Sequence, residues 1–318
     1  MKLFIEELKK LEKIKVKPNP PKDFLHFWKS MKERSENIPL ALKREKKKCS
    51  LDKIDYYEIS FNALDKTRIY GKLLLPPEAK EKKVPVIIHY HGAGGWSSTP
   101  DSYSSWILMG AAVIACDFRN QSGKTGSESG CYGEGPTNFM GIGIMDKEHC
   151  GLYYLFTDAY RTVEVAKIIS EIDSERIAVT GGSQGGGVSL AVAALHKDVK
   201  LCMADVPSSC WFEKRIFDKS GGAADISNFI KNRPETLEKI LNNLSYFDNV
   251  NLAPLIKCPV LVSCGLRDPV CPPQNVYAAF NNIKSEKKIY SYVFAQHEGG
   301  GALHTEVKLD FFKKKLMK

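Results

Sequence analysis

Long hydrophobic runs are missing from this 318-residue chain: the longest, residues 106–116, has eleven residues where a membrane-spanning helix needs about 20. An uninterrupted apolar core is also missing near the start. Acidic and basic residues interrupt residues 1–15, so no secretory signal is expected. The nine cysteines are an odd number, spread from Cys49 to Cys271, and no two are spaced as CxxC. That pattern argues against a zinc ribbon or a disulfide framework and fits thiols kept reduced in a cytoplasm. No internal repeat and no Walker-type phosphate loop occurs. Of the seven histidines only His89 and His91 form a close pair. The pair points to one side of a strand beside a glycine-rich turn and reads as structural, so no metal site is expected. What remains is an ordinary globular mixture, 43% hydrophobic and 26% charged, which excludes a disordered or collagen-like chain.

Positive charge is unevenly spread. Residues 1–53 carry 16 Lys and Arg against 8 Asp and Glu, whereas the rest of the chain carries 30 against 29. The overall charge of +9 therefore sits almost wholly in a basic N-terminal segment that includes Lys43-Arg44-Glu45-Lys46-Lys47-Lys48. Such a run can be a footprint for phosphates, but a solvated helix face is the commoner reason for one. No helix-turn-helix and no aromatic-interleaved RNA module accompanies it, so no nucleic-acid partner is expected.

The N-terminal segment reads as helical. Leu3, Phe4, Leu8 and Leu11 recur at helical spacing, prolines 18, 20 and 21 end the pattern, and Phe24, Phe27, Trp28 and Met31 share a face of a second helix. Residues 54–61 and 68–75 alternate partly, as antiparallel strands at a sheet edge do. Short, nearly continuous apolar runs follow at 86–90, 112–116, 177–180, 201–204 and 260–263, with a last strand at 288–294. Runs of that kind suit central strands of a parallel sheet buried on both faces. Helical patterns at 157–170, 185–196, 274–283 and 303–315 alternate with them. The fold class is therefore α/β, with a mostly parallel central sheet flanked by helices in one domain spanning 1–318. Two long excursions, 121–156 and 207–257, interrupt it; such excursions form lids, interface elements or substrate walls.

The strongest chemical signal is Gly181-Gly182-Ser183-Gln184-Gly185, a GxSxG pattern between a predicted strand and a predicted helix. The sharp turn there needs small flanking residues and presents the Ser183 hydroxyl at the carboxyl end of the sheet, over a helix amino terminus. A serine needs a base, and the base an orienting carboxylate. Asp268, after the strand that begins at Val260, and His297, after the last strand, stand in the order Ser, acid, His and at carboxyl ends. The rivals fit less well. His304 falls inside the last helix, His196 closes the helix after Ser183, and Asp205 follows a strand one earlier than usual. Two backbone amides should stabilise an oxyanion. One belongs to Gln184, and the other to Ala93, in the His91-Gly92-Ala93-Gly94-Gly95 turn that resembles the HG-x-GG stretch of esterases.

Taken together, these motifs resemble carbohydrate esterase family seven, the acetyl xylan esterases and cephalosporin C deacetylases. Three signatures carry the resemblance in order: Arg119-Asn120-Gln121, the elbow at 181–185, and His297-Glu298. Glu134-Gly135-Pro136, Phe156-Thr157-Asp158-Ala159, Asp205-Val206-Pro207, Leu244-Ser245-Tyr246-Phe247-Asp248 and Cys271-Pro272-Pro273 extend it over essentially the whole chain. It implies an α/β-hydrolase fold and a cytoplasmic, cofactor-free serine esterase acting on small acetylated saccharides. It also implies a homo-oligomer, commonly a hexamer, with Ser183, His297 and Asp268 as the triad. Two departures stand out. Asn120 replaces a family glycine, and an asparagine can adopt the left-handed conformation. Ala93 replaces a family tyrosine, which keeps the amide but thins a wall of the pocket. Arg119 and Gln121 are expected to brace the site rather than to act in it.

Overall fold

A strand made almost wholly of Val, Ile, Leu and Ala is stable only when both of its faces are covered. The computed structural model describes residues 2–127, 135–136 and 138–317, and there these runs form the middle of a nine-stranded sheet. The chain starts with helices α1 (Lys2–Glu12) and α2 (Phe24–Asn37), parted by the proline stretch. Strands β1 (Lys43–Lys47), β2 (Asp55–Asn62), β3 (Arg68–Leu75) and β4 (Val84–Tyr90) follow, then α3 (Ser104–Leu108) and β5 (Ala112–Cys116). Next come α4 (Gly151–Ile168), β6 (Ile172–Gly182), α5 (Gln184–Leu195) and β7 (Val199–Asp205). Helices α6 (Phe212–Phe217), α7 (Ala223–Asn232), α8 (Leu237–Leu244) and α9 (Asn249–Leu252) occupy the second excursion. Strand β8 (Val260–Gly265), α10 (Pro273–Phe280), β9 (Lys287–Tyr292) and α11 (Gly301–Leu316) complete the order. Of the first excursion, Glu134 and Cys131 lie outside the described residues.

The strand order is β1-β2-β3-β5-β4-β6-β7-β8-β9. Pairing is antiparallel from β1 to β5 and parallel from β5 to β9. Alternate side chains of the central strands feed two cores, as the two-residue period of a strand requires. Val86, Ile88 and Tyr90 join Trp28, Phe156 and Phe247 on the face covered by α2, α4 and α5. Ile87 joins Trp106 and Phe312, from α3 and α11, on the other. Because β4, β6, β7, β8 and β9 run parallel, the loops that follow them gather along one edge of the sheet. Among the described residues no helix is long and apolar enough to cross a membrane.

The basic run does not form the helix face expected of it. It is β1, an edge strand paired with β2 from Lys43 opposite Ser60 to Lys47 opposite Tyr56. Charge alone carries no period, and lysines along an edge strand oppose further strand pairing. The charges are locally compensated. Lys46 meets Asp55 at 2.6 Å, and Arg44 grips Glu171 through two bonds of 2.8 and 3.1 Å while its guanidinium lies over the Tyr57 ring.

The Arg44 bond, opposed in part by burial, pulls the Glu171 carboxyl from an ordinary 4.5 down to about 2. A depressed carboxyl contributes stability above its ordinary value and loses it as pH falls through the folded one. Replacing Arg44→Met is therefore expected to cost about 1 kcal/mol near neutral pH, since the pair is only partly buried. In urea titrations the difference from the unaltered protein should shrink as pH drops below 4.5 toward 2.

Candidate active site

Strand β6 cannot pass directly into α5 without a turn tight enough to push one residue into an unfavourable conformation. That residue is Ser183, with φ 58° and ψ −118°. The turn is possible because its neighbours have no side chains. A Cβ on Gly181 would stand 2.3 Å from the Tyr90 carbonyl oxygen, and one on Gly185 only 1.9 Å from the same atom. The Ser183 amide donates to the Asp205 carbonyl at 2.9 Å, and its own carbonyl accepts from Ser208 and Gly187 at 2.9 and 3.0 Å. With the main chain held at both ends, the strained dihedral persists.

Asp268 and His297 come from the loops after β8 and β9. The Asp268 side chain is 0% exposed and that of His297 33% exposed. Oδ1 of Asp268 accepts from the Val270 and Cys271 amides at 2.8 and 2.9 Å, and Oδ2 accepts from His297 Nδ1 at 2.8 Å. That bond requires the proton on Nδ1 and leaves Nε2 as the acceptor, the tautomer a general base needs.

The turn after β4 carries one candidate oxyanion donor, Ala93, and the other, Gln184, follows the elbow after β6. Gly94 donates its amide to Gln121 Oε1 at 2.8 Å, and Gly95 to the Gly92 carbonyl at 3.0 Å. Between Gly92 and Gly94, the Ala93 amide has no protein acceptor among the described residues. Gln184 opens α5, so its amide has no intrahelical partner either. Their placement is secured by Gln121, whose side-chain amide pairs reciprocally with that of Gln184, both bonds 3.2 Å. Arg119, two residues earlier, bonds both oxygens of Asp158 (2.6 and 2.9 Å) and both of Asp65 (2.6 and 2.8 Å). Asn120 between them has φ 53°, the left-handed conformation. Both flanking residues thus brace the loops.

The rival residues are engaged with other partners or with one another. Buried His304 receives a bond from, or gives one to, the Tyr292 hydroxyl at 3.0 Å, and its Nε2 lies 3.3 Å from Asp205. Asp205 is also paired with Lys308. Burial opposes ionisation of Asp205, but the His304 and Lys308 contacts more than offset it and hold the carboxyl below its usual range. His91 is tied at both nitrogens, to the Gly92 carbonyl at 2.7 Å and the Phe118 amide at 2.9 Å. Burial lowers the buried His89 to about 4, so it stays neutral. Glu164, His196 and Asp198, at the far end of α5, bring possible metal-ligand atoms within 4.8 Å of one another. Lys167 already bonds both carboxylates there, at 3.4 and 2.7 Å.

A family model described as acetyl xylan esterase matches residues 1–316. The chain belongs to the acetyl xylan esterase family. Its α/β-hydrolase fold is that of the family's solved structures. An acetyl xylan esterase from Paenibacillus sp. R4 superposes with a TM-score of 0.93 at 32% identity, covering 97% of this chain and 99% of that one. Acetyl xylan esterase 1 from Thermoanaerobacterium sp. JW/SL YS485 superposes with a TM-score of 0.90 at 27% identity, covering 96% and 98%. The acetyl esterase Axe7A of Xylanibacter ruminicola is 28% identical over 277 residues, 84% of this chain. The chain spans 61% of that curated relative's length.

Sequence reading misses several neighbours of the site. The loop after β7 carries three non-glycine residues at positive φ, Val206, Ser209 and Trp211. Asn249 of α9 fastens that loop to α5, donating to the Gly187 and Ser208 carbonyls at 3.1 and 3.3 Å. Cys271 is buried beside the Ser183 hydroxyl and accepts from Arg215 at 3.5 Å. Burial pushes its thiol up, only partly offset by Arg215, so it stays protonated and is a poor nucleophile. Only the Asp205-Val206-Pro207 and Cys271-Pro272-Pro273 stretches signal any of this in the sequence.

Arg119 holds two acidic side chains that are themselves largely buried. Arg119→Met should therefore destabilise the protein by about 3–5 kcal/mol, the cost of leaving buried charge unpaired. Urea unfolding at neutral pH measures it, and an effect below about 1 kcal/mol would mean the network is not a brace.

Proposed function

We propose that this chain is a serine esterase that removes acetyl groups from small acetylated sugars, xylo-oligosaccharides foremost, and from related esters such as cephalosporin C. The observation that carries the reading is the 2.8 Å bond from His297 Nδ1 to a buried Asp268, on the sheet edge where Ser183 sits in a strained elbow. In this reading Ser183 Oγ attacks the acetyl carbonyl carbon while His297 Nε2 takes its proton. Asp268 keeps the imidazole oriented and balances the imidazolium charge. The Ala93 and Gln184 amides donate to the oxyanion, each such donor being worth about 2.7–4 kcal/mol in a preformed site. Collapse of the tetrahedral intermediate breaks the ester C–O bond, and His297 returns the proton to the departing sugar oxygen. Water, deprotonated by His297, then attacks acetyl-Ser183 and releases acetate. A cytoplasmic location and a hexameric assembly belong to the same reading.

Ser183→Ala is expected to lower turnover of an acetyl ester by roughly 10⁴-fold, with His297→Ala about equal and the double variant adding little, because the residues act as a unit. Loss of activity in His304→Ala or Asp205→Asn, with Asp268→Asn retaining most of it, would overturn the assignment. Butyryl esters should react at least about tenfold more slowly than acetyl esters, at about 1–3 kcal/mol per methylene in a fitted pocket. Faster cleavage of an acyl peptide than of any acetyl ester would favour a peptidase of the same fold instead.

A further inference from the structure

Trp96 follows the oxyanion turn directly and is 44% exposed, an unusual state for the largest apolar side chain. It lines a cavity of about 470 Å³, a volume in the range of small-molecule sites, together with Tyr70, Lys72, Ser98, Thr99 and Lys124. The indole is held in place. The Lys72 ammonium sits 4.6 Å from the ring centroid and donates to Ser97 Oγ at 2.8 Å. Ser97 is fixed in turn, its amide donating to Asp117 at 2.7 Å and its carbonyl accepting from the Tyr103 hydroxyl at 2.8 Å. Asp117 also accepts from the Lys124 amide at 2.8 Å, so one buried carboxylate clamps two walls of the cavity. The floor and the oxyanion turn are one unit, because the Ser122 amide donates to the Gly95 carbonyl at 3.2 Å and its hydroxyl to that of Gly94 at 2.5 Å.

A partly exposed indole, with Lys72 over its ring and a rim of hydroxyls and charges of both signs, matches the surface of a pyranose. In a β-linked xylose the hydroxyls are equatorial, so each ring face is a patch of C–H groups suited to the electron-rich indole. The hydroxyls at the ring edge then meet Ser98, Thr99, Tyr70 and the Glu58–Lys124 pair, which is joined by bonds of 3.0 Å. Trp96 lies three positions after Ala93, so their Cα atoms are at most about 11 Å apart, a span on the order of two linked sugar rings. Resting on the acetyl-sugar reading above, we propose that Trp96 and its cavity are a binding subsite for an unreacted sugar ring of the oligosaccharide whose acetyl group lies at Ser183. The subsite makes this chain selective for oligomers over acetylated monosaccharides and simple acetates.

The test compares kcat/KM for acetylated xylo-oligosaccharides of increasing length with kcat/KM for phenyl acetate, in the unaltered protein, Trp96→Ala and Trp96→Phe. The unaltered protein should show a ratio that rises with chain length. Trp96→Ala should abolish that rise and lower the ratio for the longer oligomers about tenfold, through KM, the loss of one good contact. Trp96→Phe, which keeps an aromatic face, should recover part of it. A rise that survives Trp96→Ala within twofold overturns the subsite, as does an equal fall on both substrates or no rise in the unaltered protein. Hydrolysis of phenyl acetate with no acetate released from any xylo-oligosaccharide would instead overturn the substrate reading itself.

Discussion

The close approach of the Tyr90 carbonyl to the first turn of α5 is the constraint on which the rest depends. With Cβ positions on Gly181 and Gly185 standing 2.3 and 1.9 Å from that one oxygen, no side chain fits at either end of the elbow. The contact lets β4 and β6 pair in register up to Tyr90 and Gly181, which brings the turn after β4 beside the turn after β6. Ser183 is thereby held half-buried at the edge that also carries Ala93 and Gln184. Asp268 and His297 stand on the loops after β8 and β9, further along the same edge, and are bonded to each other. The strained φ of Ser183 is held by three main-chain hydrogen bonds, one of them to Asp205 of the adjacent strand. Rigidity at this edge comes from the sheet together with the loop after β7, whose Ser208 amide holds the Ser183 carbonyl.

Around that constraint the polar residues divide into two kinds. Asp268 spends one oxygen on two amides and the other on His297, which exposes a third of its side chain. Asp205, Lys308 and His304 form an inward-facing set whose charges compensate one another. An aspartate and a histidine occur in both. What separates them is access: one imidazole has a nitrogen left for a substrate, and the other is buried in a helix. Apart from both, the Arg119 ion network anchors the loop whose Gln121 accepts from the Gly94 amide.

Much of the fold was legible because the pattern that signals each element is also what stabilises it. The strands at 68–75 and 112–116 match the observed β3 and β5, where apolar side chains fill one or both faces. The helix expected at 157–170 instead starts at Gly151, since Tyr153, Tyr154 and Phe156 are buried by tertiary packing that a single-sequence period does not reveal. The basic stretch at β1 was misread because its stability comes from pairing with β2, a partner that charge cannot name. At the candidate site, chain order and strand ends pointed to Ser183, Asp268 and His297, and the structure pairs the last two. The Asn249 contacts and the bonds between Gln121 and Gln184 were not legible, because they join segments far apart in the chain.

The central claim is that Ser183 is the group acylated, driven by His297 held on Asp268. The most direct measurement is covalent labelling with an alkyl fluorophosphonate, followed by intact mass and peptide mapping, in the unaltered protein and in His297→Ala. The account predicts one adduct per chain, on Ser183, forming at least about 10²-fold more slowly without the histidine, the usual contribution of a positioned base. Labelling at Ser208, Cys271 or any other residue, or at an equal rate in His297→Ala, would contradict it.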